Sequence, residues 1–145
     1  YGRTLWEMQG GDLREPDLLR IAEEQPRRED AAVLTAQRWL FCDTTPLVTL
    51  GYSGWMFQTA PAELQRAAAR PYDLLFLCAP DIPFEQDGTR VGVEFRARQH
   101  AWYLQQLQAR GVPYVLLEGD LDARVARVQA ELAMRADNRF SVVAG

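Results

Sequence analysis

Three groups of residues have the types and spacing that chemistry needs. Asp43 closes the apolar run "WLFCD" at 39–43, with Thr44 next to it. A carboxylate at the end of an apolar strand has the form used by phosphoryl-transfer enzymes to hold Mg2+, directly or through water. Asp43, Thr44 and Thr45 ahead of Pro46 also read as a helix start, in which polar side chains cap backbone N–H groups. The second group is "PDIPFEQDGTR" at 80–90, which directly follows the apolar run "YDLLFLCA". Its Asp81, Asp87, Gly88 and Arg90 suit a lid whose arginine meets a transferring phosphate and whose glycine frees the turn; a solvated turn is the alternative. Arg90, Arg96 and Arg98 bracket the start of the helix that follows, and a solvated basic face is the plain account of them. Third, Tyr52, Trp55 and Phe57 in "GYSGWMF" combine aromatics with two glycines. That composition suits the stacking of a flat ring, and equally aromatic core packing. His100 lies mid-helix beside Trp102 with no acid or nucleophile that the sequence places near it. It reads as structural, which leaves no Ser-His-Asp or Cys-His scheme.

Positioning these groups requires alternating strands and helices. The runs at 39–43, 72–78 and 113–119 are nearly continuous in apolar residues, as expected of strands covered on both faces of a parallel sheet. Such a sheet would set Asp43 and Pro80 at one edge, where ligands bind in open α/β sheets. Helical patterns lie between the runs. Residues 16–37 read as helix broken near Pro26, and Pro61 suits the first turn of a helix to about Arg70. A longer helix covers 91–110. In the last helix Asp120 is a candidate N-cap, and Leu121, Val125, Val128 and Leu132 fall on one face. The closing "RFSVVAG" reads as an edge strand or a frayed tail. Strand and helix in alternation give an α/β layered fold in a single domain over 1–145.

Composition narrows the partners. The 145 residues are 48% hydrophobic and 25% charged, with a formal net charge of -4. Nucleic acid and anionic membrane are therefore disfavoured as main partners, since phosphate backbones recruit a basic surface. All 16 cationic side chains are arginine, so a phosphate would be gripped by guanidinium forks or backbone N–H groups. Cys42 and Cys78 sit in apolar runs without metal-ligand spacing and read as buried thiols of a reducing compartment. With no membrane-length apolar run and no cleavable signal pattern, the expectation is a cytoplasmic protein.

In order, "YGR" at 1–3, "FCDTTPL" at 41–47, "YDLLFL" at 72–77, "PDIPFEQDGTR" at 80–90 and Arg98 resemble the P-loop kinase domain of the bacterial NAD-biosynthesis regulator NadR, a ribosylnicotinamide kinase, and its relatives. The likeness runs from Tyr1 to about residue 130. It implies a three-layer parallel sheet flanked by helices and a kinase that uses ATP and Mg2+ to phosphorylate the 5′-hydroxyl of nicotinamide riboside. Under this resemblance Asp43 would serve Mg2+ or accept the hydroxyl proton, with Thr44 beside it on the metal. Arg90 and Arg98 would act on the phosphates, and Arg3, Tyr52, Trp55, Asp81, Phe84 and Asp87 would line the substrate, Tyr52 and Trp55 by stacking the pyridine ring. Phe84 stands where the family often has Trp, which keeps the aromatic surface but not the indole N–H donor.

The family also carries a "GxxxxGK[ST]" loop whose backbone and lysine hold the phosphates. Residues 1–145 contain neither that loop nor any lysine. The resemblance thus leads to the expectation that the loop and the strand leading into it lie upstream of Tyr1, and that this polypeptide alone does not turn over ATP. A nucleotide-binding regulatory module without catalysis, or a kinase for another small molecule, are the competing readings.

Overall fold

The structure, a computed structural model, describes residues 2–8, 10–83 and 92–140, and side chains throughout them except at Arg3 and 137–140. Its contacts divide into two compact units, Tyr1–Pro71 and Tyr72–Gly145.

The first unit is helical: α1 (Gly2–Met8), α2 (Glu15–Val33), α3 (Pro46–Phe57) and α4 (Ala62–Ala67). α2 starts where the Arg14 N–H donates to the Asp17 carboxylate at 2.9 Å, with Glu15 and Asp17 placed to favour the positive helix end. It does not break at Pro26, as the sequence suggested, but runs on to Val33. Proline removes one helical N–H and crowds the preceding turn. Here side chains bridge that step: Glu24 takes hydrogen bonds from Arg27 at 2.7 Å and Arg28 at 2.7 Å, and Gln25 donates to Glu29 at 2.9 Å. Burial on both sides of Pro26, by Ile21 and Ala22 before it and Glu29 after it, holds the helix to its neighbours α3 and α4. Leu18, Leu47, Leu50 and the fully buried Leu64 complete this core. α4 begins one residue after Pro61, close to expectation.

Residues 39–42 form no strand. The run is apolar, but Leu40 and Phe41 are exposed, and no described strand pairs with it. An extended segment becomes a strand only when a neighbour takes its N–H and C=O groups. α3 follows directly, with Thr45 extended at the N-cap and Pro46 in the first turn, so the helix-start pattern is realised one residue beyond Thr44.

The second unit holds β1 (Phe76–Cys78), α5 (Val93–Ala109), β2 (Val115–Leu117) and α6 (Leu121–Phe140). β1 and β2 are parallel, with Phe76 opposite Val115 and Cys78 opposite Leu117. Bonds from the Val115 N–H to the Leu75 carbonyl and from the Ala79 N–H to the Leu117 carbonyl extend the ladder at both ends, at 2.9 and 2.8 Å. Parallel pairing needs a long crossover, and α5 lies within it. Only the last three residues of the 72–78 run and the inner three of the 113–119 run are strand. α5 stops where Gly111 turns left-handed at φ 62° and the Val112 N–H closes on the Leu107 carbonyl. Asp120 caps α6 as expected, its carboxylate accepting the Ala123 N–H at 2.9 Å.

The predicted side of α6 is covered only in part: Leu121 and Val125 are exposed, Val128 and Leu132 are half-buried, and Arg124 and Ala136, one turn before and after them, are buried. Arg124 there meets acceptors at the strand ends. The fold is thus α/β, mostly helical, with a two-stranded parallel sheet among the described residues.

Candidate functional site

In the first unit the candidate residues sit where an irregular segment enters α3. Thr44 is left-handed at φ 68°, a costly state for a β-branched residue. Its carbonyl accepts the Gln25 side-chain N–H at 3.0 Å, which helps hold that geometry. Just before Asp43, Cys42 is half-buried. Burial first, and then the Glu29 charge, push the Cys42 thiol above its ordinary pKa. Glu29 is itself buried and meets the Arg70 guanidinium at 3.2 Å, and a second nitrogen of Arg70 reaches Asp30 at 2.5 Å. Beside the anchored Thr44, Asp43 is exposed, and no hydrogen bond or ion pair engages its carboxylate among the described residues.

Tyr52 and Trp55 lie one turn apart on α3, edge to face at 5.6 Å and 79°. Tyr52 is exposed and Trp55 half-buried, so the pair presents aromatic surface without being sealed in the core. Arg3 belongs to α1.

In the second unit Asp81 is gripped. Its carboxylate accepts the Gly119 N–H at 2.6 Å and pairs with the Arg124 guanidinium. Arg124, only 7% exposed, also donates to the carbonyls of Ala79 at 3.1 Å and Gly119 at 2.8 Å. One guanidinium thus joins both strand ends, using the planar fork that lysine lacks. The Gly119 N–H above all, with help from Arg124, holds the Asp81 carboxyl below its usual range. Arg96 at the start of α5 donates to the Ile82 carbonyl at 3.1 Å, and Arg98 is exposed, its guanidinium carbon 5.9 Å from the Phe95 ring centre. His100 is half-buried, and its Nδ1 has no hydrogen-bond partner among the described residues. Phe84, Asp87 and Arg90 lie outside the described residues.

Sequence reading missed Gln25, Glu29, Arg70 and Arg124. The i,i+4 spacing of Gln25 and Glu29 was a usable signal, hidden by the break assumed at Pro26. Nothing local points from Arg70 to Glu29, 41 positions away.

Among the described residues no three His, Cys, Asp or Glu side chains group to hold a metal ion. A protein-only metal cage is therefore not offered by them. Mg2+ that arrives with a nucleotide needs only one or two protein oxygens beside phosphates and waters, and Asp43 with Thr44 fits that smaller demand. No described helix is long and apolar enough to cross a membrane. A family model described as AAA domain matches residues 1–124. No curated protein and no solved structure matches the chain.

Proposed function

The chain belongs to the AAA domain family, a P-loop NTPase-like family whose members generally bind nucleotide, and from that premise we propose a small-molecule kinase of the ribosylnicotinamide type. In this reaction the 5′-hydroxyl oxygen of nicotinamide riboside attacks the γ-phosphorus of ATP. The bond from that phosphorus to the β,γ-bridging oxygen breaks, ADP leaves, and the hydroxyl proton passes to a base. The observation that carries the reading is the open Asp43 carboxylate beside the anchored Thr44 at the entrance to α3. It would either accept that proton or, with Thr44, hold Mg2+, which supplies neutralisation of phosphate charge. Tyr52 and Trp55 supply aromatic surface for the pyridine ring, and the order of the short motifs supports the substrate class.

Arg90, with Arg98 as its companion, is assigned to the phosphates, and Arg3, Phe84, Asp87 and Asp81 to the substrate side. Asp81 would act there through the loop it fixes. The test is a panel of ribosides with ATP and Mg2+ on the full-length protein, scored for ADP and for the 5′-phosphate. Nicotinamide riboside should give the highest kcat/KM. Preference for another riboside would replace the substrate, and no transfer to any of them would leave a nucleotide-binding module. Arg90→Ala should lower kcat more than it raises KM for the riboside, and Arg90→Lys should recover little, because a point charge does not reproduce the fork. Wild-type kcat in both variants would remove Arg90 from the phosphates.

A further inference from the structure

We infer that Gln25 and Glu29, one turn apart on α2, are positioning residues for Asp43. The inference rests on the reading of Asp43 as the reacting or metal-holding carboxylate. The peptide neighbour that follows Asp43 is tied to that helical turn: the Thr44 carbonyl accepts the Gln25 side-chain N–H at 3.0 Å. The same amide nitrogen donates to Glu29 at 2.9 Å. An amide NH2 carries two donors, so both bonds are made together and Gln25 is fixed as it fixes the loop. Glu29 in turn is braced by Arg70 at 3.2 Å.

The arrangement resists relaxation because its members hold each other. Thr44 does not favour its left-handed backbone unaided, and with the Gln25 bond gone the segment has reason to return to ordinary dihedrals. That would swing the Cα–Cβ bond of Asp43, whose carboxylate nothing else engages among the described residues. A misplacement of about 1 Å at a reacting group costs on the order of a hundredfold in rate. Gln25 therefore acts on chemistry without touching substrate.

The experiment compares Gln25→Met, Gln25→Lys and Asp43→Asn in the full-length protein, measuring kcat and KM with ATP and nicotinamide riboside, the Mg2+ concentration for half-maximal rate, and Tm. Met keeps the length of Gln and removes the donor; Lys restores an N–H donor of similar reach. Gln25→Met should lose roughly tenfold to a hundredfold in kcat, with riboside KM within about twofold, and Gln25→Lys should recover most of that loss. A purely structural role would lower Tm and leave the rate of the folded protein and its Mg2+ dependence unchanged. Wild-type kcat in Gln25→Met, with turnover abolished in Asp43→Asn, would overturn the inference and leave the functional reading standing. Wild-type turnover in Asp43→Asn, or none in the unmodified protein, would overturn that reading and the inference with it.

Discussion

Asp81 stands three residues beyond a paired strand, its carboxylate held by a backbone N–H and a buried guanidinium, whereas Asp43 follows an apolar run and, among the described residues, has no strand partner ahead of it and neither kind of contact. The two loops keep their shape by opposite means. At 79–82 the aspartate itself is the tie, so its charge is already engaged. At 42–44 the tie falls on the Thr44 carbonyl, and the carboxylate beside it is left over. An acid used as scaffold and an acid left open, as the proposed chemistry requires, therefore differ in where the hydrogen bonds fall, not in residue type or in the kind of sequence ahead of them.

That contrast is broken most directly by Asp43→Asn. With an unengaged carboxylate, kcat should drop by about 10²–10⁴, the range of general acid–base contributions, while stability stays within about 0.5 kcal/mol. Kinetics alongside thermal melts check this, and a variant that merely melts earlier with normal kcat would place Asp43 among the scaffold acids. Arg124→Met should do the reverse. It strips donors from two carbonyls and a carboxylate at a buried site and should cost about 2–3 kcal/mol in urea unfolding. Unchanged stability would mean that water replaces the guanidinium.

The smallest effect is in acid. The Asp81 carboxyl is held below its ordinary 3.8, so its contribution to stability is present above about that pH and fades as pH falls further. In Asp81→Asn that part of the acid-induced loss should be missing from unfolding curves below pH 3.8. Glu24, lowered to about 2 by the Arg27 and then the Arg28 hydrogen bonds, acts in the same direction between pH 4.5 and about 2 and serves as an internal control on the exposed face of α2. An Asp81→Asn curve parallel to that of the parent would show that the Gly119 and Arg124 contacts do not persist in solution.

What could be read from the sequence follows from which forces are local. α5, α6 and the Asp120 cap depend on neighbours three or four positions away, and the pattern disclosed them. The β1 run was visible because it does find a partner in β2. The 39–43 run has the same composition, and an apolar string records a preference for burial without saying whether another strand is alongside. α2 crossed Pro26 because contacts from α3 and α4 and its own charged pairs outweigh one missing hydrogen bond, and no propensity scale contains those contacts. The α6 face was misjudged at Arg124 because a buried cation is invisible until its acceptors are known. Asp43 and its Thr44 neighbour were legible as residues of interest, while the anchors Glu29 and Arg70 meet only in three dimensions.

The two thiols differ in a way that makes the molecule easy to label. Covalent reagents for cysteine attack the thiolate, and burial, then the Glu29 charge, raise the pKa of the half-buried Cys42 and disfavour its thiolate. Cys78 is exposed at the end of β1. A maleimide dye at neutral pH should therefore attach to Cys78 well before Cys42, and residues 1–145 offer amine-directed reagents no lysine. A single fluorophore placed this way would sit one residue from Ala79, whose carbonyl Arg124 holds, and would report on that strand end without any engineered substitution.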